Sequence, residues 1–88
     1  MRSTPLLVEA TQGHGYTVHV RFEDDTAADV DLSYLLDHGG VFEPLRDPAF
    51  FRELRADAEA GTIVWPNEAD IAPETLYTHA RRRAAATA

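Results

Sequence analysis

Apolar side chains recur at every second position in three stretches of the N-terminal part of the chain. The three stretches are Leu6, Val8 and Ala10; Tyr16, Val18, Val20 and Phe22; and Ala28, Val30 and Leu32. Because successive side chains of a strand point to opposite faces, this spacing predicts three strands with one apolar face. The glycines on either side of His14 and the polar residues 23–26 predict the two turns of an antiparallel meander.

The centre of the chain predicts short helical segments. Ser33 is a candidate N-cap for a helical turn over residues 34–36, which Gly39-Gly40 would end. Residues 41–45 form an apolar connector with a proline. Asp47-Pro48 has the residue types that typically open a helix, with Asp at the cap and Pro at the first helical position.

Residues 48–60 are open to two structures. Helical propensity and the following glycine favour one helix over the whole segment. The alternative is a short helix over residues 48–52, followed by a hairpin with arms 54–57 and 62–65. The β-branched residues of the second arm favour the hairpin, and the Ala and Glu content of the first arm opposes it.

The C-terminal part predicts a helix that packs on the sheet. Pro66-Asn67 ends the preceding strand, Asp70 is a candidate cap, and Pro73 suits a first helical turn. One face of this helix carries Leu76, Tyr77 and Ala80. We expect one α+β domain over residues 1–80, with a small antiparallel sheet (a meander plus a hairpin) and short helices. Residues 81–88 are a short Arg/Ala-rich C-terminal tail whose last residues we expect to fray.

The single tryptophan has two interpretations. In the hairpin, Trp65 shares a face with Ile63, and its large ring can anchor the core of a small domain. The aromatic and aliphatic partners predicted for it are Phe42, Phe51, Leu76 and Tyr77. The alternative is an exposed Trp65 that anchors a partner, because tryptophan is a frequent hot spot of interfaces. We favour the core position.

Charge adds a first indication of function. The chain has 88 residues and a net charge of −7, and all eight basic residues are arginines, three of them at 81–83. Residues 1–80 therefore carry five arginines against fifteen acids, a net charge of −10. A body this acidic repels nucleic acid and attracts basic partners. A solubilising surface without a partner gives the same composition.

Five carboxylates cluster around one predicted turn: Glu23, Asp24, Asp25, Asp29 and Asp31. We take Asp24, Asp25, Asp29 and Asp31 as candidate partner-binding residues, together with Trp65 if it is exposed. A solvated sheet face produces the same pattern without function. A small-ligand or metal sensor that uses this cluster with His19 is a second hypothesis, and self-association through an open sheet edge is a third.

Catalytic and cofactor motifs are missing from the sequence. The four histidines, at 14, 19, 38 and 79, form no H-x-x-x-H or H-E-x-x-H pair, and there is no cysteine. The sequence contains no P-loop, dinucleotide fingerprint or nucleophile elbow. We therefore expect no catalytic residue, metal or cofactor. No apolar run approaches the length of a membrane span, and no signal peptide opens the chain, so we expect a cytoplasmic protein.

Three motifs resemble a known family. VDLSYLL at 30–36, VFEPLRDPAFF at 41–51 and GTIVWPNEADIAPETLY at 61–77 are similar to the bacterial domain of unknown function 2442. The resemblance covers about residues 5–77 and implies a small α+β domain, with the hairpin rather than the long helix. The family commonly has Gly where this chain has Glu68, so we expect a different turn there.

The resemblance also implies a role. Some relatives carry a helix-turn-helix domain after this module, and others lie beside small genes arranged like toxin–antitoxin pairs. This chain ends soon after Tyr77, so we expect a stand-alone, non-enzymatic interaction module, with an antitoxin-like or regulatory role toward a basic partner protein. Nucleic acid and membrane are not expected partners.

Overall fold

The computed structural model describes residues 4–86. The strands are β1 (Leu7–Gln12), β2 (Thr17–Phe22), β3 (Ala27–Asp31), β4 (Arg55–Asp57) and β5 (Thr62–Val64). The helices are α1 (Pro48–Phe51) and α2 (Pro73–Ala86), and 3₁₀ helices cover Ser33–Asp37 and Gly40–Arg46. The first three strands form an antiparallel meander, the last two form an antiparallel hairpin, and α2 packs against β3. The predicted α+β class is confirmed.

The central strand of the meander follows the predicted alternation. Val18, Val20 and Phe22 are fully buried, whereas His19 and Arg21 face solvent. Burying three large side chains on one face stabilises the sheet by roughly 1.5–3 kcal/mol per residue. The apolar face of β2 therefore forms one side of the hydrophobic core.

Strand β1 departs from simple alternation. Leu7 is buried, while its neighbours Leu6 and Val8 are 44% and 46% exposed. The register of β1 against β2 shifts between Leu7 and Glu9, which marks a β-bulge. The bulge inserts one extra residue into β1, so the side chains after it point to the opposite faces from those that alternation from Leu7 would give. Ala10 therefore packs against the core. The strand was predicted correctly, but its buried residue was not.

The hairpin is confirmed, against the helical propensity of its first arm. Ala56 of β4 lies opposite Ile63 of β5, and Gly61 ends the turn between them with a φ of 70°. The Leu7 N–H donates to the Gly61 carbonyl at 3.2 Å, which ties the hairpin to β1. A contact between residues so distant in sequence can override local propensity.

The segment between β3 and α1 is more helical than predicted. The apolar connector at 41–45 lies within the second 3₁₀ helix, and Leu45 is fully buried. Ser33 does not cap the first 3₁₀ helix, whose N-cap is Leu32 with no side-chain hydrogen bond. Asp47 does cap α1 as predicted, because its carboxylate accepts from the Ala49 N–H at 3.0 Å.

Trp65 lies in the core, as the favoured interpretation predicts. Only 1% of the residue is exposed, and its ring centroid lies 5.8 Å from that of Phe51. The indole N–H donates to the Phe51 carbonyl at 3.0 Å, so the polar atom of the side chain is satisfied inside the core. Because it has almost no exposed surface, Trp65 does not belong to a partner-binding surface in this fold.

The turn after Trp65 holds a residue in an unfavourable conformation. We expected Glu68 to change this turn, but Glu68 keeps a φ of 71°, which suits glycine better than a side chain. The backbone hydrogen bonds Glu68 N–H to Trp65 O and Trp65 N–H to Ala69 O, both 2.9 Å, close the turn. The Asn67 amide donates to the Val41 carbonyl at 2.9 Å and fastens it to the second 3₁₀ helix.

The C-terminal helix buries the predicted face. Leu76 and Ala80 are fully buried, and the Tyr77 ring meets the Phe22 ring edge-on at 5.1 Å. Asp70 does not cap this helix; it forms an isolated β-bridge with Val64 instead.

Helix α2 continues through Ala86, so the three consecutive arginines belong to its last turns. Helical order therefore extends into the segment where fraying was expected, and residues 87–88 of that segment lie outside the described residues.

Candidate interaction surface

Four of the predicted contact residues lie on one hairpin of the meander. Asp24 and Asp25 occupy the turn between β2 and β3, and Asp29 and Asp31 project from β3. All four are exposed. We call these four residues the acidic surface.

Asp24 is held by the C-terminal helix. The Tyr77 hydroxyl donates a hydrogen bond to the Asp24 carboxylate, and Arg81 in turn donates to the Tyr77 oxygen at 3.2 Å. Asp24 also accepts from the Thr26 N–H at 3.0 Å within its own turn. These hydrogen bonds, with that from Tyr77 the largest contribution, lower the pKa of Asp24, and the charge of Arg81 adds to the effect. The carboxylate of Asp24 therefore connects the β2–β3 turn to α2.

Asp29 pairs across the sheet. Its Oδ1 lies 2.8 Å from Nδ1 of His19, its partner in register on β2. The Leu32 N–H donates to Tyr16 O and the Phe22 N–H to Thr26 O, so His19 and Asp29 form a pair without mutual backbone hydrogen bonds. Side chains approach most closely at such pairs. Both side chains remain about half exposed, so the pair contributes little to stability.

Asp31 closes the strand end. Its carboxylate accepts from the Ser33 N–H at 2.9 Å, which starts the first 3₁₀ helix. Hydrogen bonds from Ser33 lower the pKa of Asp31, and the nearby charge of Arg83 lowers it further. Arg83 also donates from Nε to the Asp29 carbonyl at 3.2 Å. That carbonyl points away from β2, so Arg83 caps the outer edge of β3.

The arginines of α2 were the part that sequence reasoning missed. The sequence places Arg81–Arg83 in a tail apart from the acidic body, but in the structure the charge of Arg81 helps to lower the pKa of Asp24, and that of Arg83 helps to lower the pKa of Asp31. One signal was available: Tyr77 and Arg81 are four residues apart, and therefore neighbours on a helix. Their approach to the β2–β3 hairpin depends on how α2 packs, which no local pattern gives.

The histidines are spread over the domain. His79 and His38 both meet the ring of Tyr34 edge-on, with centroids at 5.0 and 6.1 Å. His14 lies exposed in the β1–β2 turn, and His19 pairs with Asp29. Within residues 4–86, no three His, Asp or Glu side chains are grouped so that they could hold a metal ion.

The fold and this surface define a small α+β domain in which one hairpin and one helix bring carboxylates and arginines together. The chain belongs to a family described as protein of unknown function (DUF2442), whose model matches residues 7–82. Comparison with curated proteins and with solved structures found no match. Across residues 4–86, no helix is both long enough and apolar enough to cross a membrane.

Proposed function

We propose that this domain is a non-enzymatic protein-interaction module that binds a basic partner protein through the acidic surface. The observation that supports this most directly is the exposure of four carboxylates along one hairpin. Asp25 makes no ion pair among the described residues and projects from the tip of the turn. Exposed like charges in a row raise the rate at which an oppositely charged partner associates.

The chain's own arginines indicate what the partner would present. Arg81 and Arg83 already interact electrostatically with Asp24 and Asp31. A partner's guanidinium groups would act on the charge of these carboxylates in the same way, and arginine forks suit carboxylate recognition. Four acids against these two arginines leave the acidic surface with an excess negative charge of −2 for a partner to neutralise.

A finer form of the proposal concerns the biological role. In the resembling family, neighbouring small genes suggest that the partner is encoded nearby. Binding would then neutralise that partner, as an antitoxin does, and both proteins would be cytoplasmic. The net charge of −10 over residues 1–80 supports a basic partner over nucleic acid.

An affinity pull-down from the native host at low salt tests the proposal. We expect the unmodified protein to retain a basic, co-encoded protein that elutes as salt is raised, because screening weakens exposed charge pairs. The double variant Asp25→Lys/Asp29→Lys should lose it. The matched control Glu53→Lys/Glu59→Lys makes the same charge change at exposed turn positions outside the acidic surface and should keep the partner. Equal retention by both variants would show that the acidic surface is not the contact.

A second candidate function is a small-ligand or metal sensor at His19 and Asp29. The observation that favours it is a shallow depression beside this pair, lined by His19, Ala28, Asp29 and Arg83. A ligand that binds the folded state raises the melting temperature by mass action. Thermal shift with a panel of divalent ions, compared with the His19→Ala variant, tests this function. An unchanged melting temperature at millimolar metal would remove it.

A further inference from the structure

Helix α2 has a second face that the domain itself does not use. Leu76 and Ala80 are fully buried, whereas Glu74, Thr78 and Arg82 are exposed. At 3.6 residues per turn, these three exposed residues follow one another at four-residue steps along the outer side of the helix. The outward face runs opposite to the face that packs on the sheet.

A shallow, open depression lies along this outward face. Glu74, Thr75, Thr78, His79 and Arg82 line a shallow depression of about 270 Å³ along the helix. The two threonines are the shortest side chains of this lining, and Glu74 and Arg82 are its first and last residues in the sequence. Short side chains on a helix surface let a ridge of a second helix approach closely.

The charges on this face are arranged antisymmetrically. Glu74 lies four residues before Thr78, and Arg82 lies four residues after it. Each is therefore about 6 Å along the axis from the central threonine. Within the part of the chain that the structure describes, neither Glu74 nor Arg82 takes part in an ion pair. A face with acid at one end and base at the other is complementary to its own reversed copy.

We propose that a second copy of this chain docks on the outward face, with the two α2 helices antiparallel and a twofold axis beside Thr78. Glu74 of each copy then pairs with Arg82 of the other, which gives two equivalent ion pairs in an isologous contact. The antiparallel orientation also brings each helix N-terminus beside the other helix's C-terminus, which favours the pairing. Thr78 at the centre leaves room for close approach of the two backbones.

The same structure argues against pairing through the outer edge of β3. Helix α2 packs against that strand, and Arg83 donates a hydrogen bond to the Asp29 carbonyl, which points outward from the strand. Covered edges resist pairing with another strand. A 14-residue helix is only about 21 Å long. Its contact is smaller than that of standard interfaces, so the dimer is weak and reversible.

Charge reversal with complementation tests the proposal. Sedimentation equilibrium from about ten micromolar to about one millimolar covers the range of a weak dimer. We expect Glu74→Arg and Arg82→Glu each to weaken dimerisation about tenfold, because two attractive pairs become repulsive. An equimolar mixture of these two variants should dimerise again, since the arginine introduced at position 74 of one copy then faces the glutamate introduced at position 82 of the other. The matched controls Glu53→Arg and Arg52→Glu, both at exposed positions, should dimerise as the unmodified protein does.

Three results would overturn the proposal: a monomer throughout this range, a dimer that neither reversal weakens, or a mixture that does not recover. Circular dichroism melts of each variant show whether the helix persists. If Glu74→Arg unfolds α2, Glu74→Gln and Arg82→Gln replace the reversals. Each should weaken the dimer, because it removes the ion pairs without introducing like charges. Asp25→Lys/Asp29→Lys leaves this face intact and should dimerise normally, which separates this proposal from the proposed function.

Discussion

The two sides of the domain are held together by different physical interactions. Around Trp65, an indole with 1% exposure packs on Phe51 and satisfies its N–H inside the core. Around Asp24, exposed side chains link the β2–β3 turn to α2 through Tyr77 and Arg81. Both contacts join elements far apart in the sequence. The first depends on burial and packing, and the second on charges that water, salt and protons reach. They should therefore respond differently to mutation, salt and pH.

Replacing Trp65 should have the largest effect on stability. Trp65→Ala removes the largest buried side chain and leaves a cavity, which costs about 3–5 kcal/mol. A domain of this size has only about 5–15 kcal/mol in total, so much of its stability is lost. Urea unfolding followed by circular dichroism measures the change. Asp29→Ala serves as the comparison on the exposed side and should barely shift the midpoint; equal losses would contradict the distinction between the two regions.

Each of the two regions contains one residue with positive φ, and replacing it by glycine should change the free energy of unfolding by about 1 kcal/mol or less. Glu68 near Trp65 has a φ of 71°, and Asp25 in the acidic turn has a φ of 70°. Glu68→Gly should stabilise the fold by about 1 kcal/mol, because an L-residue is strained in this conformation. Asp25→Gly should gain less, since aspartate tolerates the left-handed region better than glutamate does. Chemical denaturation of both variants gives the difference, and a destabilised Glu68→Gly would show that the turn is not strained.

Removing the Tyr77 hydroxyl tests the exposed contact without disturbing the ring. Tyr77→Phe keeps the edge-on contact with Phe22 but loses the bonds to Asp24 and Arg81. We expect a small fall in melting temperature, well below that of Trp65→Ala, and a weaker dependence on salt. Thermal melts at low and high salt measure both. An effect as large as that of Trp65→Ala would mean that this contact, too, is part of the core.

The smallest expected effect is a pH dependence that only the exposed region supplies. Hydrogen bonds lower the pKa of Asp24 and Asp31 in the folded state. Their stabilisation is therefore complete above the unfolded-state pKa of about 3.9 and is lost as pH falls through the lower folded-state pKa. Melting temperatures from pH 6 down to about pH 2 should decline, and Asp24→Asn should make that decline shallower. A decline unchanged in Asp24→Asn would assign the acid sensitivity to other carboxylates.

Much of the fold was predictable because its signals are local. The period-2 run in β2, the Asp47-Pro48 start of α1 and the apolar face of α2 each follow from steric rules within a few residues. Other features had no such signal. The bulge in β1 placed Leu7 rather than Leu6 or Val8 in the core, and Asp70 became part of a bridge instead of a cap. Strand pairing decided both, because register belongs to two segments and not to one.

The acidic surface was predictable in composition but not in environment. Clustering of carboxylates near one turn is visible in the sequence, and strand alternation puts Asp29 and Asp31 on the same side. That Arg81 and Arg83 lie beside them depends on the position of α2 against β3. The electrostatics of the acidic surface therefore depend both on the carboxylates of the hairpin and on the arginines of α2.

By itself, the sequence determined the strand period, the helix starts, the excess of acid and the family. These follow from side-chain geometry, capping and charge, which act within a few residues or over the whole chain. Local pattern left one helix or a hairpin open at 54–65, and the family resemblance favoured the hairpin. Tertiary contacts form that hairpin beside β1 and bury Trp65 beneath α1. They also bring the arginines of α2 to the acidic surface. The physical reason is that burial and hydrogen bonding between distant segments outweigh local preferences of a fraction of a kcal/mol per residue.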